Sequence, residues 1–191
     1  SRQLVSDRPV GVFLSGGIDS SAVLASAVRA KGTARTYTTR FEVNSPEEEE
    51  KFNRDAFLAQ KTAAYFGTEH TEILVRRAEV GELFEHAIWH LDEPSGSATA
   101  VSQLAIARET VRDVAVVLGG DGGDELFGGY ERYRLSRIMD LYQRFPQALR
   151  TLVARHPTFE KLNTPPDARR LALFHFTKQR CLDRVLAEPY R

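Results

Sequence analysis

The sequence predicts an α/β fold: a three-layer parallel sheet with helices on both faces, followed by an all-helical extension. Three observations predict it. Short apolar runs alternate with longer stretches of helical periodicity across the first two-thirds of the chain. Two of those runs end in glycine-rich turns, Ser15-Gly16-Gly17 and Gly119-Gly120-Asp121-Gly122-Gly123. After Tyr130 no strand-like segment remains, and Pro146, Pro157, Pro165 and Pro166 interrupt helical stretches.

The elements read in order. Val10 to Leu14 is a buried parallel strand. Ser20 to Lys31 is a helix that Asp19 or Ser20 can cap and that Gly32 stops. Thr36 to Phe41, rich in Thr and aromatics, is a second strand. Asn44 to Lys51, with four consecutive Glu, is an acidic connection or solvated helix start. Phe52 to Phe66 is a helix ending at Gly67, and His70 to Val75 a third strand. Glu79 to Leu91 and Ala98 to Val111 are helices, and Val114 to Leu118 is the fourth strand. Arg134 to Arg155 and Asp167 to Leu186 read as helical, so residues 1–133 form one domain and 134–191 its helical extension.

Composition narrows the function classes. Lys plus Arg and Asp plus Glu both number 26, so nothing suggests a basic nucleic-acid surface. Cys181 is the only cysteine, which excludes an intrachain disulfide and makes a cytoplasmic enzyme the default. No apolar run approaches the roughly 20 residues that span a bilayer, and Ser1-Arg2-Gln3 opens no signal-peptide pattern. The first residue is not Met, which reads as a piece of something longer.

Ser15-Gly16-Gly17-Ile18-Asp19-Ser20 carries the chemistry. A turn from a buried strand into a helix leaves amides pointing at open space with partial positive charge, which suits an anion. Gly16 and Gly17 let a phosphate approach the backbone, and Ser15 and Ser20 add hydroxyl donors. Asp19 would repel phosphate unless a divalent cation sits between them, which implies Mg2+. The loop lacks the Gly-Lys-[Ser/Thr] of a Walker A motif, and no lysine lies nearby. A loop that grips terminal pyrophosphate without that lysine suits a reaction at the α-phosphate of ATP, with pyrophosphate as leaving group.

The strand–Ser-Gly-Gly-Ile-Asp-Ser–helix pattern resembles the signature of the PP-loop ATP pyrophosphatase superfamily. The second loop, Asp121-Gly122-Gly123-Asp124-Glu125-Leu126-Phe127-Gly128-Gly129-Tyr130, resembles the matching segment of the glutamine-hydrolysing asparagine synthetase family. Arg8-Pro9-Val10-Gly11, Phe66-Gly67-Thr68-Glu69-His70 and Leu91-Asp92-Glu93-Pro94 extend the resemblance over about Val5 to Tyr133.

The resemblance implies a strand order that sets the first and fourth strands side by side. It implies that Leu14 and Thr39 meet adenosine through backbone groups, and that Gly119 and Gly120 lie against ribose and α-phosphate. Ser15, Gly16, Gly17, Asp19 and Ser20 would hold pyrophosphate, with Asp19 on the metal. Asp92 or Glu93 would stand near the reacting acyl group, and Asp121 and Asp124 would shape the amino-acid site. The implied reaction adenylates a carboxylate, aspartate by default, and ammonia then forms the amide. A related synthetase acting on another carboxylate and a non-catalytic ATP-binding module are the alternatives. An N-terminal glutaminase domain belongs to the full-length family protein, and a homodimer is compatible with it.

The chain departs from the family at three points. Gly119 stands where Ser is usual, Ser97 stands where many members carry Asp, and the glutaminase domain with its N-terminal Cys is not in this sequence. Cys181 is internal and no substitute, and Lys178 does not match the family's phosphate-contacting lysine. His86 and His90 lie one helical turn apart without an evident third zinc ligand, Trp89 is expected to pack, and Arg132, Arg134 and Arg137 read as a solvated helix face.

Overall fold

The computed structural model describes residues 2–93, 95–147 and 150. The chain packs as two compact units, Ser1–Gly123 and Asp124–Arg191. In the first, β1 (Val10–Phe13), β2 (Arg35–Phe41), β3 (Glu69–Val75) and β4 (Val116–Leu118) form one parallel sheet in the order β3-β2-β1-β4. The helices α1 (Ile18–Lys31), α2 (Pro46–Phe52), α3 (Arg54–Phe66), α4 (Val80–Leu91) and α5 (Ala98–Thr110) fill the connections.

Both faces of the sheet are covered, which is why Thr36, Tyr37 and Thr38 are buried in succession on β2. On one face Val12 and Leu14 pack on Leu24 and Ala27 of α1 and on Ala59 and Ala63 of α3. The alanines let those helices sit close. On the other face Tyr37 and Ile73 meet Ile106 and Val114, and Val75 meets Leu83, Val101 and Ala105. Burial of a side chain such as Leu24, which has no exposed surface, stabilises by about 1.5–3 kcal/mol. Gly11 makes room for the Tyr37 ring, because a Cβ there would lie 2.8 Å from its Cε2.

The elements expected in the first unit are present with shifted edges. α1 begins at Ile18 with Gly17 as its N-cap residue, so neither Asp19 nor Ser20 caps it. Gly32 and Gly67 end α1 and α3 in the left-handed conformation, at φ 80° and 62°. The Asn44–Phe66 stretch divides into two helices at Asn53, with Ser45 capping the first by accepting from the Glu48 amide at 3.2 Å. β4 is shorter than the apolar run that predicts it. The amides of Ala115 and Val116 both turn to the carbonyl of Pro9, at 3.1 and 3.4 Å, so regular pairing starts only at Val116.

The second glycine loop, whose glycine content predicts an irregular turn, contains a short helix, α6 (Gly123–Phe127). In the second unit α7 (Glu131–Gln143) buries Met139 and Tyr142. It starts three residues before the expected helix and stops ahead of Pro146. The Tyr142 hydroxyl donates to the Arg150 carbonyl at 2.7 Å. The end of the helix expected over 134–155, the helix expected over 167–186, and Cys181 and Lys178 lie outside the described residues. No helix among the described residues is long and apolar enough to cross a membrane.

Candidate nucleotide site

The strand order reverses direction at β1: the chain runs from β1 to β2 on one side, and β4 joins on the other. The crevice beyond the carboxyl ends of two such strands is where open α/β sheets bind ligands. Ser15–Ser20 leaves β1 there, and Gly119–Gly123 leaves β4 beside it.

The first loop is held by its own hydroxyls and by α3. Ser20 is buried, and its Oγ accepts from the Ser15 amide at 3.2 Å, lies 3.0 Å from Ser15 Oγ and donates to the Gly17 carbonyl at 3.3 Å. Ser15 Oγ accepts from the Gly17 amide at 3.3 Å. Gly16 has φ 72°, and a Cβ there would strike Leu58 Cβ and stand 2.7 Å from the Ala59 amide nitrogen. Only glycine combines that conformation with that contact. The amides of Gly16, Ile18, Asp19 and Ser20 have no protein acceptor among the described residues. Hydroxyls and open amides on a fixed backbone can bind an oxyanion.

The second loop lies directly on the first turn of α1. A Cβ on Gly120 would be 2.7 Å from the Ser20 amide nitrogen and 3.1 Å from Asp19 Cβ. A Cβ on Gly123 would be 2.7 Å from each Asp19 carboxylate oxygen. The Gly123 amide donates to the Gly120 carbonyl at 3.2 Å, closing a tight turn with Gly122 at φ 88°. Asp121 is exposed, and its carboxylate occupies the space that a side chain at Gly119 would take.

Thus the fold brings Ser15, Gly16, Gly17, Asp19, Ser20, Gly119, Gly120 and Asp121 to one corner. Leu14 is buried beneath it, with its amide donating to the Tyr37 carbonyl at 2.9 Å. Thr39 is half-buried on the neighbouring strand, paired in register with Ile73. Asp92 and Glu93 are exposed at the end of α4, and neither makes a hydrogen bond or ion pair to the two loops. Asp92 has φ 57° and ends α4 in the left-handed conformation. Asp124 begins the second unit, where its carbonyl accepts from the Gly129 amide at 3.0 Å and its carboxylate fills the position of a Cβ on Gly129.

Sequence reasoning missed Gly123 as the surface under Asp19, and Leu58 and Ala59 as the floor under Gly16. The only signal was glycine itself, since a close approach is what removes a side chain. In the second unit Tyr130 donates to Glu125 at 2.5 Å. That bond holds the Glu125 carboxyl below its ordinary range and pushes the Tyr130 phenol up. Arg132 stacks on the Tyr130 ring at 3.8 Å. Trp89, expected to pack, is 74% exposed. No group of three His, Cys, Asp or Glu able to hold a metal occurs among the described residues. A cleft of about 620 Å³ lies between β3, α4 and α5, beside Ile73, Leu83 and Arg108, and none of the candidate residues lines it.

A family model described as Asparagine synthase matches residues 1–188. "Asparagine synthetase [glutamine-hydrolyzing] 1" of Bacillus subtilis is 34% identical over 148 residues, 78% of this chain and 22% of the relative. "Putative asparagine synthetase [glutamine-hydrolyzing] 2" of Methanocaldococcus jannaschii is 33% identical over 160 residues, 83% of this chain and 30% of the relative. The chain therefore spans between about a fifth and a third of the curated relatives it matches. The solved NH3-dependent NAD synthetase of Campylobacter jejuni aligns over 98% of this chain and 92% of its own, at 14% identity and a TM-score of 0.43.

Proposed function

Because the chain belongs to the asparagine synthase family, we propose that it is the ATP-using part of an amide-forming ligase, which converts ATP to AMP and pyrophosphate. Residues 1–133 are the synthetase domain in this reading, and 134–191 its helical extension. The observation that carries it is the packing of Asp19 on Gly120 and Gly123, which joins two glycine loops at the switch point of the sheet.

The chemistry follows from that corner. Leu14 and Thr39 hold adenosine through backbone groups, and Gly119 and Gly120 lie against ribose and α-phosphate. Amides and hydroxyls of Ser15, Gly16, Gly17 and Ser20 hold the pyrophosphate, where charge builds as it leaves. A carboxylate oxygen of the acceptor attacks the α-phosphorus, the bond to the bridging oxygen breaks, and pyrophosphate departs with the electron pair. Ammonia then attacks the acyl carbon of the adenylate and loses a proton, and AMP leaves. Asp121 and Asp124 shape the amino-acid site, and Asp92 or Glu93 stands near the reacting acyl group.

Mg2+ fits the residues present. Asp19 has no cationic partner among the described residues, and Mg2+ commonly takes one or two protein carboxylates together with substrate phosphate oxygens and water. Asp19 would hold the ion, which would neutralise phosphate charge. The whole protein would draw ammonia from a glutaminase domain, work in the cytoplasm, be compatible with a homodimer, and engage no nucleic acid. Aspartate is the first acceptor to test. The space at Gly119, filled by the Asp121 carboxylate rather than by a hydroxyl, favours another carboxylate as the second reading.

ATP–pyrophosphate exchange in the full-length protein is the test. Exchange stimulated by aspartate supports the first reading, and exchange stimulated by a different carboxylate the second. No exchange across a broad carboxylate panel overturns both.

A further inference from the structure

Asn53 stands at the corner between α2 and α3 and is 3% exposed. Its side chain is fully committed. Oδ1 accepts from the amide of Phe41 at 2.8 Å, and Nδ2 donates to the carbonyl of the same residue at 2.9 Å. The side chain thus gives the last residue of β2 the two bonds a neighbouring strand would give. Nδ2 also donates to Glu49 Oε2 at 2.8 Å, and Glu49 Oε1 accepts from the Arg40 guanidinium at 2.6 Å. The Asn53 carbonyl accepts from the Phe57 amide at 3.0 Å, which opens α3. The next two residues of that turn, Leu58 and Ala59, form the floor under Gly16. One buried amide therefore ties the carboxyl end of β2, just past Thr39, to the helix beneath the phosphate loop.

We propose that Asn53 is a positioning residue for nucleotide binding, which sets the separation between the carboxyl end of β2 and the Ser15–Ser20 loop. The proposal rests on the reading of this corner as an ATP site. A ligand held at both ends gains from a fixed separation, because engaging one end raises the effective concentration of the other. Adenosine alone or pyrophosphate alone uses one end and gains nothing from it. A buried amide that only stabilised the fold would weaken all three ligands alike.

The test measures equilibrium binding of ATP, inorganic pyrophosphate and adenosine to the full-length protein and its variants. Asn53→Ala should lower ATP affinity about tenfold or more, while each half-ligand changes less than about twofold. Glu49→Ala, at a side chain 42% exposed and safe for folding, frees one Asn53 bond and should give the same pattern at about threefold. It decides the matter if Asn53→Ala does not fold. Thr110→Val, in the core away from the loops, should leave ATP affinity unchanged. Equal losses for all three ligands, unchanged ATP affinity in both variants, or an ATP loss in Thr110→Val overturns the proposal. A wild-type protein that binds neither ATP nor pyrophosphate overturns the ATP-site reading itself, and the proposal with it.

Discussion

The Asp19 carboxylate rests on the bare backbone of Gly123, so closely that a methyl group there would stand 2.7 Å from both carboxylate oxygens. Gly123→Ala must displace Asp19. ATP affinity should fall about tenfold, with a stability cost of about 1–3 kcal/mol from the crowding. Equilibrium ATP binding and thermal unfolding measure the two effects, and an unchanged affinity would remove Gly123 from the site.

Asp19→Asn keeps the shape and removes the charge. Magnesium-dependent ATP binding should be lost, leaving only the weaker binding expected of wild type when Mg2+ is chelated. Titration with and without Mg2+ checks this, and equal magnesium stimulation in both proteins would refute the metal assignment.

His70 predicts a pH dependence. Its Nδ1 lies 2.9 Å from Thr36 Oγ1, its Nε2 is buried with no partner among the described residues, and burial pulls its pKa below the usual value near 6.5. The folded state therefore resists protonation that the unfolded chain accepts. The stability contribution is whole above about pH 6.5 and is lost as pH falls toward the depressed folded value. Thermal unfolding of wild type should decline more steeply below pH 6.5 than that of His70→Gln, and parallel curves would exclude this role.

Gly81 sits in α4, and among the described residues nothing beyond its own stretch of helix comes within 4 Å of where a Cβ would stand. Gly81→Ala should stabilise by about 0.4–1 kcal/mol through the unfolded chain and the helix, without changing ATP binding. A fall in melting temperature would contradict it.

The strand and helix order was legible because both local signals agree: buried strands read as short apolar runs, and Gly32 and Gly67 end helices in a conformation that disfavours other residues. The adjacency of β1 and β4 came from the resemblance, and the register confirms it, with Val12 opposite Leu118. The sequence reading divides the Asn44–Phe66 stretch between Lys51 and Phe52, but the reason the break falls at Asn53 was hidden, because that asparagine shows it only once Phe41 is beside it. The shortening of β4 was hidden too, since it depends on two amides sharing Pro9. Both are long-range contacts, which periodicity does not report.

The pairing of β1 with β4 also sets an order of assembly. Within the first unit the phosphate loop is synthesised before the surface on which Asp19 rests, which comes at that unit's end. A chain halted before Val116 has the loop without its counterpart. In the proposed reading ATP binds and stabilises only a chain that carries both loops, so the nucleotide separates a finished first unit from one cut short, as well as serving as a reactant.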